Sequence, residues 1–175
     1  MKKYLVILAA VITSILLLGG CGKNPSEEGL ELLQEGQYEA ALSKFEEAIE
    51  DEKNIDDAYR GVGIAKWELE DYEGARDAFE NALSNGTEET ATIYHFLGSC
   101  ELRLENYKMA LNYFRLGMLQ EDCNEEMMQE MRFNEIVALE KFGDWESART
   151  ELNEYIVDYP EDERAVKEAE FLETR

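Results

Sequence analysis

The sequence predicts an all-α fold: an array of about four antiparallel helix pairs followed by one closing helix. Three observations carry that expectation. A segment recurs four times, as EGQYEAALSKFEEAI (35–49), EDYEGARDAFENAL (70–83), ENYKMALNYFRLGM (105–118) and GDWESARTELNEYI (143–156). Each copy has a polar turn, an aromatic (Tyr38, Tyr72, Tyr107, Trp145), an alanine three positions on (Ala41, Ala75, Ala110, Ala148) and a bulky apolar residue four beyond that (Phe45, Phe79, Phe114, Leu152). Those offsets lie on one face of a helix. Finally, another helix-like stretch precedes each block, and Tyr59-x2-Val62-Gly63 and Tyr94-x2-Leu97-Gly98 sit at the same offset before their turns.

Ahead of the array, Met1-Lys2-Lys3 is basic, and Tyr4 to Leu18 is apolar except for Thr13 and Ser14. That run falls short of the roughly 20 apolar residues a bilayer-spanning helix needs. A basic start, a short apolar core and small residues at its end match a secretory signal peptide over residues 1–20. Leu18-Gly19-Gly20-Cys21 resembles a bacterial lipobox. The resemblance implies cleavage between Gly20 and Cys21 and a diacylglyceryl group on the Cys21 sulfur. Two acyl chains hold a protein stably to a bilayer where one does so only marginally. The expected location is therefore the bacterial cell envelope, lipid-anchored on the extracytoplasmic side, with residues 21–28 as lipidated terminus and short linker. An uncleaved N-terminal anchor is the alternative, and it too tethers the chain to the outer face of a membrane.

The aromatics of the four copies are spaced 34, 35 and 38 residues apart. With the Y-x2-V/L-G and A-x3-F patterns, and Pro160 eight residues after Leu152, the chain resembles the tetratricopeptide repeat, a unit of 34 residues. The units run over about 29–55, 56–90, 91–122 and 123–160, with residues 161–175 as a capping helix. Gly63, Gly98, Ala75 and Ala110 are small where two antiparallel helices must approach. Unit one keeps Gly29 and Leu32, and unit four departs most, with Arg132, Glu135 and Ile136 in its first-helix slots. The extra residues before Trp145 amount to about one helical turn near 122–131. Asp122 with Glu125 reads as the N-cap pair of a longer helix. Met127, Met128 and Met131 extend its apolar face, as adaptable core filling or, alternatively, as a binding surface. Ala165, Val166, Ala169 and Leu172 give the closing helix its stripe, and an open array needs such a cap.

The resemblance implies a right-handed superhelical array whose concave face is lined by the first helix of each unit and binds a protein or peptide. In that register the groove positions recur at i, i+4, i+7 and i+8. They are Ser26, Leu30, Leu33 and Gln34; Arg60, Ile64, Trp67 and Glu68; His95, Ser99, Leu102 and Arg103; and Phe133, Val137, Glu140 and Lys141. Arg60, Arg103 and Lys141 gather basic charge in an acidic chain, while Ile64, Trp67, Leu102 and Phe133 supply the large apolar groups that anchor interfaces. For Ile64, Leu102 and Val137, ordinary core burial is an equal alternative, whereas Trp67 and Arg103 are expected to be exposed. A second reading makes the array a structural subunit of an envelope assembly, docking through its convex face or terminal helix.

Composition narrows the partners. The chain carries 40 acidic and 17 basic side chains, a net charge of −23, and loss of Lys2 and Lys3 with the signal would leave −25. Such a charge repels nucleic acid, so no nucleic-acid partner is expected. One histidine, His95, argues against a His-rich metal site, and no phosphate-loop, zinc-protease or nucleophile-elbow motif occurs. Cys100 lies five residues from His95, about 140° around a helix, which disfavours a nucleophile pair. No enzyme activity, cofactor, metal or small-molecule substrate is expected, and Cys100 and Cys123 are expected as free thiols.

Overall fold

The computed structural model describes residues 24–172; the expected signal segment and the expected lipidation at Cys21 lie outside them. The described residues form α1 (Pro25–Gln34), α2 (Tyr38–Glu50), α3 (Ile55–Glu68), α4 (Tyr72–Ser84), α5 (Ala91–Arg103), α6 (Tyr107–Met118), α7 (Glu125–Phe142), α8 (Trp145–Asp158) and α9 (Glu163–Leu172). Each helix packs on the one before and the one after, and α1 also meets α3 as α5 meets α7. The first helices of successive pairs thus stand side by side. None of the described helices is long and apolar enough to cross a membrane.

Local chemistry sets the helix ends. Asn24 accepts a hydrogen bond from the Ser26 amide at 3.1 Å, and Pro25 occupies the first turn, where its missing N–H costs nothing. Residues 25–28, expected in the linker, therefore belong to α1. Within each pair the turn passes through a left-handed residue at the same place: Gly36 (φ 72°), Glu70 (φ 61°), Glu105 (φ 63°) and Gly143 (φ 88°). Glycine adopts that conformation freely, whereas a residue with a Cβ is strained there.

The core repeats with the sequence. Ala41, Ala75, Ala110 and Ala148 are all 0% exposed, and Phe45, Phe79 and Phe114 at most 1%. The glycines make room for these rings. A Cβ on Gly98 would meet Phe114 Cδ1 at 2.6 Å, and one on Gly63 would meet Phe79 Cε1 at 2.8 Å. Burying each ring stabilises the fold by about 1.5–3 kcal/mol.

The fourth pair departs from two expectations. Asn124 caps α7 by accepting from the Met127 amide at 2.9 Å, while Asp122 reaches across the array to accept from the Ala91 amide, also at 2.9 Å, where α5 begins. Asp122 thus serves the N-terminus of the earlier helix, and the Asp122–Glu125 cap is replaced by Asn124. Met131 is fully buried and fills the space left by Gly117, and Met127 packs on the same cluster, so these two methionines extend the core. α9 begins at Glu163, two residues later than the pattern suggests, because Asp162 accepts from the Arg164 amide at 2.9 Å and caps it.

Candidate functional site

Where α3, α5 and α7 line up, their inward faces enclose an open depression of about 470 Å³. Trp67 from α3, His95, Ser99, Leu102 and Arg103 from α5, and Val137 and Lys141 from α7 all line it. These are seven of the sixteen groove positions read from the sequence. The helical spacing of four, three and one residues brings them to one face of each helix. A second depression of about 460 Å³ shares His95 and Glu130 with the first and ends at Arg164 of α9. Together they form a trough of a volume suited to a ligand side-chain cluster.

The remaining expectations are placed otherwise. Arg60 is exposed and pairs with Asp57 at 2.9 Å, outside the depression. Ile64 is half-buried against the cluster around Phe79 and Leu97. Phe133 turns toward the next layer, with its ring 5.7 Å from that of Tyr155 and the Arg164 guanidinium 4.3 Å above it. Glu68 is exposed beside Tyr38, whose hydroxyl pKa it raises by its charge. Glu140 is only 8% exposed, so it is no groove-surface residue. In the first pair Ser26 is buried, Leu30 and Gln34 are exposed, Leu33 is half-buried, and none lines the trough.

Four lining residues were missed: Glu105, Tyr107, Glu130 and Asn134. On α7 the true stripe is Glu130, Asn134, Val137 and Lys141, which keeps the spacing of four and three but starts three residues before Phe133. Tyr107 belongs to the repeated aromatic position, and an aromatic there can pack between layers and still show an edge to the trough.

The trough floor is aromatic. Trp67 meets Tyr72 edge-on at 5.1 Å and Phe96 at 5.8 Å between ring centroids, which holds the indole in place. Arg103 stacks over Tyr72 at 5.6 Å. Eight other Lys and Arg residues sit within 4.0 Å of a carboxylate, but among the described residues Arg103 and Lys141 have none that close. His95 is pushed below its ordinary pKa by burial, with Glu130 opposing, so the ring is largely neutral at neutral pH. Cys100 is fully buried and its thiol is pushed up to about 12 by burial, which leaves it a core residue and a poor nucleophile. Among the described residues no three His, Cys, Asp or Glu side chains are placed to hold a metal. The arrangement offers shape, aromatic surface and two uncommitted cations, which is the equipment of a binding face.

Known proteins with the same architecture fit this geometry. Residues 60–117 and 130–162 each match a tetratricopeptide-repeat family model. Human Tetratricopeptide repeat protein 12 is 33% identical over 89 residues, which are 51% of this chain and only 12% of that protein. The crystal structure of YrrB, described as a TPR protein with an unusual peptide-binding site, superposes with a TM-score of 0.70 at 26% identity, over 81% of this chain and 70% of that one. MamA 41-end from Desulfovibrio magneticus RS-1 superposes with a TM-score of 0.75 at 20% identity, over 88% and 86% of the two chains, and shares the fold.

Proposed function

On the premise that this chain carries tetratricopeptide repeats, we propose that it is a membrane-anchored, extracytoplasmic scaffold that captures a segment of another protein in the trough of α3, α5 and α7. The observation that carries the reading is the meeting of Trp67, Leu102, Val137, Arg103 and Lys141 at one open depression. Aromatic and arginine side chains dominate protein interfaces, and Trp67 is already held by its neighbours, so little order is lost on binding. The likeness to YrrB, whose description names a peptide-binding site, supports a peptide or an exposed segment as the ligand. The lipobox-like Leu18-Gly19-Gly20-Cys21 supports the anchor.

Two experiments test the two halves. Cross-linking on intact cells identifies the captured protein, and Trp67→Ala with Arg103→Ala is expected to weaken capture by about tenfold or more while leaving the helical circular dichroism unchanged. Full capture by both variants would reject the trough and move the contact to the convex face or the terminal helix. Lipid labelling of the wild type and not of Cys21→Ala is expected. Equal labelling, or none, would overturn the anchor.

A further inference from the structure

The trough holds hydrogen-bonding side chains that the fold leaves unused. Ser99 is only 8% exposed and lines the first depression, yet its hydroxyl has no hydrogen-bond partner among the described residues. Ser84 and Thr150 show the ordinary arrangement on a helix, each donating to the carbonyl four residues before, at 2.8 and 3.0 Å. Asn134 and His95, half-buried in the same depression, likewise make no hydrogen bond among the described residues. Three side chains able to donate and accept thus stand on the facing sides of α5 and α7. Buried polar groups are partnered as a rule, so these three await an occupant.

The charges along the trough are sorted by position. Arg103 and Lys141, which form no ion pair among the described residues, lie in the last turns of α5 and α7. Glu126 lies at the other end, in the first turn of α7, and the cation nearest that end, Arg164, is taken by Glu130 and Asp162 at 2.8 Å each. The helix dipoles favour those signs at those ends, yet two cations left unpaired are the exception in a chain of net charge −23. From Glu126 to Lys141 α7 rises about 22 Å, the reach of about seven extended residues.

We infer that the trough takes an extended segment laid along α5 and α7, its main chain hydrogen-bonded to Ser99, His95 and Asn134, with an acidic side chain at Arg103 and Lys141 and a basic one about seven residues away at Glu126. The inference rests on the trough being the binding face, and it adds the form and the charge order of what lies there. An extended chain offers an N–H and a C=O at each residue, whereas a helix uses its own internally. The extended form is therefore the one whose main chain can satisfy the three waiting side chains. A run of acidic residues does not fit, because Glu105 and Glu130 line the same depression and would repel it. An apolar residue beside the acidic one rests on Trp67, Leu102 and Val137.

Three peptides of about ten residues, blocked at both ends, test this by nuclear magnetic resonance on the full chain labelled with nitrogen-15. At about millimolar concentration even weak binding moves amide signals. The peptides share an apolar centre and carry Glu at one end and Lys at the other, Gln at both ends, or Glu at both. The Glu–Lys peptide is expected to shift the trough amides of α5 and α7 and to bind at least about tenfold tighter than the other two. A nitroxide at its Glu end should broaden the signals of residues 137–141 and leave 126–130 sharp. Arg103→Gln with Lys141→Gln should bring it to the affinity of the Gln peptide with the helical circular dichroism unchanged, and Asn134→Ala should weaken all three alike. Equal affinity of the Glu–Lys and Gln peptides, both weakened by Trp67→Ala, would overturn the charge order and leave the trough as the binding face. Broadening at 126–130 would overturn the order too, and an Asn134→Ala without effect would overturn the main-chain contact. Trough signals that no peptide moves would overturn the binding face itself.

Discussion

The central layers and the C-terminal layer use the same helix-pair plan with different chemistry. In the centre a phenylalanine on the second helix fills the place of a glycine on the first: Phe79 against Gly63, Phe114 against Gly98. In the fourth pair the volume is redistributed, with Ile136 in the glycine slot and Leu152 in the phenylalanine slot, 1% and 2% exposed. Such volume-conserving exchanges are tolerated well. The junction with α9 then relies on polar bonds among Gln129, Glu130, Tyr155, Asp162 and Arg164. Shape specifies the middle of the array, and directional, charge-dependent contacts specify its end. The end should therefore respond to acid more strongly than the middle, because Asp162 is held further below the usual carboxylate range than the Asp71 cap of α4.

That contrast can be broken most severely at the centre. Phe114→Ala empties a fully buried site and should cost about 3–5 kcal/mol, measured by urea unfolding, with a loss that is the same at acid and neutral pH. At the end, Asp162→Ala removes the cap of α9 and the acceptor of the Tyr155 hydroxyl, a loss of about 2 kcal/mol. The hydrogen bonds from Arg164 hold the Asp162 carboxyl well below the usual carboxylate range. Its contribution is present above the ordinary value and is lost as pH falls toward the folded one. Acid should thus loosen the Asp162 corner, and Asp162→Asn should remove that effect. A Phe114→Ala loss that varies with pH, or an acid loosening of α9 that survives Asp162→Asn, would erase the distinction drawn here. The smallest change sharpens it within the turns: Glu70→Gly relieves a left-handed residue and should stabilise by about 1 kcal/mol, raising the melting temperature by about 2–4 °C.

Much of this was legible in the residues because the repeat is a physical period. The aromatic, alanine and phenylalanine positions recur where two helices touch, so the register of the core could be read from spacing alone. The trough followed for α3 and α5, whose register is regular. It failed on α7, where the added turn before Trp145 let Phe133 rotate toward Tyr155 and brought Glu130 and Asn134 inward. Local pattern could not foresee Asp122 capping α5 either, since that bond joins residues 31 apart. Glu140 was read as a groove residue because helical spacing reports a face and is silent about what covers it.

The chain holds two tryptophans, and they stand at opposite ends of the question. Trp67 lies in the trough against Tyr72 and Phe96, whereas Trp145 lies 6.3 Å from Phe171 of α9. Intrinsic fluorescence is therefore already partitioned into two optical channels. With Trp145→Phe the emission reports on ligand entering the trough, and with Trp67→Phe it reports on the packing of the terminal helix, so the two ends of the array can be followed separately without a dye.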